Sequence, residues 1–205
     1  MKKIIVTLVF ITIFINSWSQ ARIPVNEPNT GSTNKPNNPP VTNTNTGGTT
    51  TSGELKKYVD PQGRFSIGYP PEWMFEDKTE SAIIQITSPS EGDKDNFKQN
   101  INLQIEELKN SMTIEEYVKL NMSGVKDLVK GYREVSAMYF NRNGAKAYQI
   151  IYKGKYGDMT YEIQIKQLFA ISNGKGFVLT YVSKEDERDA FETTANKIFN
   201  SFKNL

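Results

Sequence analysis

Apolar and polar positions change period several times along the chain, and each change marks an element. Phe65, Ile67 and Tyr69 alternate with polar or small residues, the pattern of a half-buried strand. Ser81 to Thr87 (SAIIQIT) predicts a second strand, and Ile101, Leu103 and Ile105, alternating with Asn102, Gln104 and Glu106, predict a third. The period then turns helical. Ile114, Tyr117, Val118, Met122, Val125, Leu128, Val129 and Tyr132 fall on one face, with Gly131 near the expected stop. Thr113 opens TIEE, so Thr113 caps the helix and Glu116 closes a capping box. Four more strands are predicted at Glu134 to Phe140, Ala145 to Lys153, Thr160 to Ile171 and Gly176 to Ser183. Between them Asn143-Gly144 and Asn173-Gly174 are strong hairpin signals, because both residue types tolerate positive φ; Gly157-Asp158 is a weaker one. Loops this short force antiparallel pairing. A closing helix, capped by Ser183, carries Phe191, Ala195, Ile198, Phe199, Phe202 and Leu205 on one face. Strands, helix, strands and helix without βαβ alternation predict an α+β domain, an antiparallel sheet covered by two long helices.

RFSIGYPPEW, residues 64 to 73, reads as a device that ends a strand. Pro70 biases Tyr69 towards extended backbone and Pro71 cannot donate to a ladder, so the chain leaves the sheet there. Trp73 lands just outside, where its indole either folds back over the sheet as core or stays exposed as a binding aromatic.

The flanks change the picture. Lys2 and Lys3, the apolar run Ile4 to Ile15, and Ser17-Trp18-Ser19 have the form of a bacterial secretory signal peptide over residues 1–19. An apolar run of about 12 residues rises only about 18 Å as a helix, short of a hydrocarbon core of about 30 Å. Cleavage therefore leaves no membrane span, and the mature protein is expected in a periplasm or outside the cell. No cysteine follows the cut to carry a lipid. Residues 20–53 are rich in Asn, Thr, Pro and Gly and cannot bury enough surface to offset the entropy of ordering a backbone, so a disordered linker is expected. Residues 54–205 have the size of one compact domain.

Several of these residues resemble the opening hairpin of the PsbP family: Tyr58, the Asp60-Pro61-Gln62-Gly63 turn, Phe65-Ser66-Ile67, Tyr69-Pro70 and Trp73. The later parts are similar in order, with a TIEEY helix, a hairpin at Asn143-Gly144, an NGKGFVLTY strand and a closing helix ending in SFK. The resemblance covers about residues 56 to 205. It implies the antiparallel sheet sandwiched between helices of PsbP and Mog-type proteins, most of which serve as docking or assembly proteins rather than enzymes. Photosystem attachment does not carry over, because the address is secretory. Nor do metal sites built on histidine.

Composition narrows the chemistry. The 205-residue chain has a formal charge of +2, and removing residues 1–19 takes away two lysines and no acid, leaving the mature chain near neutral. A nucleic-acid role then lacks its electrostatic footprint. With no His and no Cys, Ser-His-Asp and Cys-His mechanisms, thiolate and imidazole zinc sites and disulfides are impossible. Asp93 and Asp95 in EGDKDN lack the rest of an EF-hand, and SNGKG lacks the first glycine and the Ser/Thr of a phosphate loop. Glu106-Glu107 should point to opposite faces of a strand, while Glu115-Glu116 suit the start of a helix. No catalytic residue, cofactor or metal ligand is assigned. Trp73, Tyr152 and Tyr156 are the candidate partner-binding residues, and an envelope or extracellular protein of unnamed identity is the expected partner. Tyr148, Tyr152, Tyr156, Tyr161 and Tyr181 also allow an alternative, a carrier holding a small apolar molecule between sheet and helix.

Overall fold

A computed structural model describes residues 54–205, apart from 80, 81, 93, 94, 96, 110 and 187. The expected signal peptide and linker, Ser81 and Asp93 lie outside the described residues.

The opening strands are β1 (Lys56–Val59), β2 (Phe65–Tyr69), β3 (Met74–Asp77), β4 (Ile84–Thr87) and β5 (Asn100–Glu107). Two helices follow, α1 (Ile114–Met122) and α2 (Val125–Leu128), then the long strands β6 (Val129–Arg142), β7 (Ala145–Tyr156), β8 (Ile163–Ser172) and β9 (Lys175–Lys184), and finally α3 (Arg188–Ser201) and β10 (Lys203–Asn204). A seven-stranded sheet runs β3-β4-β5-β9-β8-β7-β6 and a three-stranded one β1-β2-β10, with antiparallel pairing throughout. The class is α+β.

The Asp60-Pro61-Gln62-Gly63 turn joins β1 to β2. Asp60 is 3% exposed, yet its carboxylate takes Nε of Arg64 at 2.7 Å, Nη2 at 2.8 Å and the Arg64 N–H at 3.1 Å. That side-chain pairing, above all, holds its pKa below the ordinary carboxylate value. At Pro70 and Pro71 the chain leaves β2 as expected. Trp73 turns inward at 3% exposure and meets Phe191 edge-on, with ring centroids 5.7 Å apart.

Strand alternation sorts the core into two clusters. Ile101 and Leu103 of β5, Leu168 of β8 and Phe177, Leu179 and Tyr181 of β9 join Phe65, Ile67, Trp73 and the α3-side residues Ala195, Ile198, Phe199 and Phe202. The alternate residues Ile150 and Tyr152, Ile163, Ile165 and Phe169, Val178 and Val182 join Ile114, Tyr117 and Val118 of α1 and Val125 of α2. Both faces of β8 and β9 are thus buried, which is why these strands read as almost continuous apolar runs.

Four expectations are corrected. The helical face predicted through Tyr132 breaks at Ser123 and Gly124 and ends at Leu128; Val129, Gly131 and Tyr132 belong to β6. Strand pairing with β7 overrides the period, and Gly131, at φ +70°, sits in a register shift between Lys130 and Arg133 instead of stopping a helix. Ser183 is no helix cap; it pairs with Gln164 inside β9 and is fully buried. Leu205 lies past α3 and β10 and is half exposed. The pattern predicts a single sheet, but β1, β2 and β10 form a second one, and β3 and β10 carry too few residues to show a period.

Candidate functional site

The β6–β7 hairpin closes through Asn143 and Gly144, both at positive φ, with Gly144 N–H donating to Asn141 Oδ1 at 3.1 Å. β6 is one of the two outer strands of the large sheet, so its aromatic residues are covered only in part. Tyr139 and Tyr148 stand opposite one another with ring centroids 4.6 Å apart, and Tyr132 tilts on Tyr152 at 5.3 Å. Lys146 Nζ lies 4.7 Å above the Tyr139 ring while also paired with Glu115 of α1; Lys126 Nζ lies 5.5 Å above Tyr132. Burial raises the pKa of Tyr132, Tyr148 and Tyr156, so the phenols stay neutral and able to donate at physiological pH. Exposed Leu120 and Leu128 lie on the neighbouring helices. The result is a surface of tyrosine rings, aliphatic side chains and lysines. Such a surface suits a protein partner, because each ring has an apolar body and a polar tip.

Where α1 meets the sheet, Tyr117 Oη donates to Glu106 Oε1 at 2.8 Å. Its ring fills the space over Gly176, where a Cβ would stand 2.4 Å from Tyr117 Cζ. Burial raises the Glu106 carboxyl pKa and the tyrosine hydrogen bond opposes the rise. Deeper in, Tyr152 Oη donates to Gln167 Oε1 at 3.3 Å and Gln167 Nε2 to Thr180 Oγ1 at 3.2 Å, a polar row across three strands. These contacts are between the chain's own groups and hold elements together. Among the described residues no group of three or more His, Cys, Asp or Glu gathers as a metal site. No helix among them is long and apolar enough to cross a membrane.

Of the residues singled out in the sequence, Trp73 and Tyr152 lie in the two core clusters and present almost no surface, while Tyr156 is half-buried at the far end of the tyrosine face. Tyr148, Tyr152, Tyr156 and Tyr161 share one cluster and Tyr181 belongs to the other, so the five tyrosines are not brought together. Asp95 is engaged locally, accepting the N–H groups of Glu91 and Phe97. Glu115 and Glu116 begin α1, and Glu116 closes the capping box with Thr113. Tyr139, Met138 and Val135 escaped the sequence reading, and their signal was there. Ala137 to Phe140 (AMYF) has no polar residue to alternate with, which in an edge strand leaves apolar side chains in water.

A family model described as PsbP-like protein matches residues 29–204. No curated protein matches the chain. Among solved structures, the cyanobacterial PsbP (CyanoP) of Synechocystis sp. is 16% identical with a TM-score of 0.54, the alignment covering 77% of this chain and 96% of that one. LpqN, involved in cell envelope biogenesis of Mycobacterium tuberculosis, is 16% identical with a TM-score of 0.54, covering 73% and 91%. PA94 of Pseudomonas aeruginosa, a protein of unknown function and putative regulator, is 11% identical with a TM-score of 0.51, covering 73% and 96%. At these identities the likeness is one of fold.

Proposed function

The chain belongs to the PsbP-like protein family, and from that premise we propose that it is an exported, non-catalytic docking module of the cell envelope or the cell exterior. It grips a protein partner with the tyrosine face of β6 and β7. In this reading the large sheet is a rigid carrier between α3 with the small sheet on one side and α1 with α2 on the other. The leader over residues 1–19 sends it out, and residues 20–53 tether it. The observation that carries the reading is the half-covered row of Tyr132, Tyr139 and Tyr148, two of its rings capped by lysines, with exposed Leu128 immediately before β6. Rigid amphipathic rings of this kind anchor protein interfaces, where a hot-spot ring contributes about 2 kcal/mol or more. The involvement of LpqN, a protein of similar fold, in cell envelope biogenesis points the same way.

The test is site-directed photo-crosslinking in producing cells. A photoreactive residue at Leu128, beside the tyrosine face, is expected to give a discrete adduct with a heterologous protein. The same residue at Val59, half exposed on the small sheet, is expected to give none. Equal labelling from both positions, or no adduct from Leu128, rejects the reading.

A further inference from the structure

The two sheets have four outer strands among the described residues: β1 and β10 in the small one, β3 and β6 in the large one. An outer strand offers unpaired N–H and C=O groups, and folded proteins blunt such edges by shortness, charge or bulges. Three of the four follow that rule. β10 has 2 residues; β3 has 4 and ends in exposed Glu76 and Asp77; β1 has 4 and begins with exposed Lys56 and Lys57. β6 has 14 residues and is protected over its first half alone. There the register with β7 shifts between Lys130 and Arg133 and again between Glu134 and Ser136, among three charged side chains.

From Ser136 to Arg142 the register is unbroken, Ser136 facing Ile151 and Arg142 facing Ala145. This stretch, SAMYFNR, contains no Pro, Gly or Lys. Its single charge, Arg142, is turned away onto the carbonyl oxygens of Phe199 at 2.6 Å and Phe202 at 2.8 Å. Met138 is 53% and Tyr139 43% exposed. The edge is therefore straight, uncharged and apolar at its centre.

We propose that a second copy of this chain closes the edge, its β6 running antiparallel to this one about a two-fold axis through Tyr139. The bounds of the regular stretch select both occupant and register. It is limited by a bulge at one end and the Asn143-Gly144 turn at the other, so a strand of the same length and the same limits fits it end to end. Its midpoint is Tyr139. Pairing there sets Tyr139 against Tyr139, Met138 against Phe140, Ala137 against Asn141 and Ser136 against Arg142. Apolar residues then meet in the middle, and no like charges face each other. Moving the axis to Met138 drives the bulge at Glu134 and Val135 into the pairing; moving it to Phe140 runs into the turn. A two-fold contact uses up the edge in both copies, so assembly stops at two. The interface uses the strand's backbone edge, so it shares Tyr139 with the tyrosine face but does not rest on the partner proposed there.

The chain has no cysteine, so single cysteines report the register. Directly opposed residues have Cα atoms about 4.5 to 5.5 Å apart, within disulfide reach. Positions four residues out of register are about 13 Å apart, beyond it. After mild oxidation of the full chain, Tyr139→Cys is expected to give a covalent dimer. Ala137→Cys alone and Asn141→Cys alone are expected to stay unlinked, while an equimolar mixture of the two cross-links. That mixture reads the same register should Tyr139→Cys fail to fold. In sedimentation, the cysteine-free protein is expected to run as a dimer, with Met138→Glu weakening association by about tenfold or more. A monomer at high micromolar concentration overturns the proposal and leaves the edge to a heterologous strand or to residues 20–53. Linkage of the Ala137→Cys variant to a second copy of itself overturns the register.

Discussion

Trp73 shows how much one side chain carries. Two prolines end β2 just before it, and the indole then seals the α3-side cluster against Phe191. Trp73→Ala is expected to cost about 3 to 5 kcal/mol, the range for removing a large buried aromatic, and thermal melting would register it as a drop of several degrees. An unchanged melting temperature would place the indole outside the core. Glu106 makes the opposite case, a charge the fold tolerates poorly. Its pKa is raised by burial, with the Tyr117 hydrogen bond opposing, so the protonated form is the one the folded state favours. Stability from this group is fully present below the unfolded value of about 4.3 and is lost as pH rises through the raised folded value. Glu106→Gln keeps an acceptor for Tyr117 and does not ionise. The difference in melting temperature between Glu106→Gln and the wild type should therefore shift across that window, with the variant matching or exceeding the wild type above it. A variant less stable at every pH would mean that the phenol–carboxylate bond outweighs the burial. Burial of Trp73 was legible in its neighbours. The pairing of Glu106 with Tyr117 was not, because it joins a strand to a helix through side chains of no shared pattern.

At the scale of elements, what could be read was whatever is local. Alternation gave β2, β5 and the hairpin strands; Asn143-Gly144 and Asn173-Gly174 gave their turns; TIEE gave the start of α1. Thr113→Ala removes one side of that capping box and is expected to cost about 1 kcal/mol in urea titration, with the slope unchanged. What failed were the places where tertiary pairing overrode local period. Val129 to Tyr132 kept helical spacing yet were drawn into β6, and Ser183 kept cap chemistry yet was needed opposite Gln164. The bulge in β6 opposite β7 depends on Gly154, where an added Cβ would lie 2.5 Å from Val129 Cγ1 and 2.9 Å from the Lys130 carbonyl oxygen. A backbone oxygen cannot step aside as a side chain can. Gly154→Ala should therefore cost about 2 kcal/mol, within the overpacking range, and calorimetry would measure it. No loss would show that the bulge relaxes freely. The tyrosine face was half legible: Tyr148 and Tyr156 were in view, but Tyr139 was not, because which rings reach the surface depends on β6 being an outer strand, a property of strand order.

The molecule as a whole sets its candidate surfaces at the β6 side of the large sheet, while the small sheet packs with α3 on the Trp73 cluster. If the leader is removed as its form predicts, the intact mass of the exported protein should correspond to a chain beginning at Gln20 or Ala21; a mass that keeps residues 1–19 rejects export by cleavage. The small sheet also bears on how the fold is reached. Gly68 of β2 donates to Ser201 Oγ at 2.7 Å across 133 residues of sequence, and the next residues of the chain, Lys203 and Asn204, complete the ladder with Ser66 and Phe65. The hairpins from β6 to β9 need only neighbours and can zip early. β2 must wait for a segment made long after it. Closing so long a loop comes before the contacts that reward it, and the rate is set by that search. The chain should thus fold slowly for its size, and during synthesis its small sheet stays unclosed until the last helix has been made.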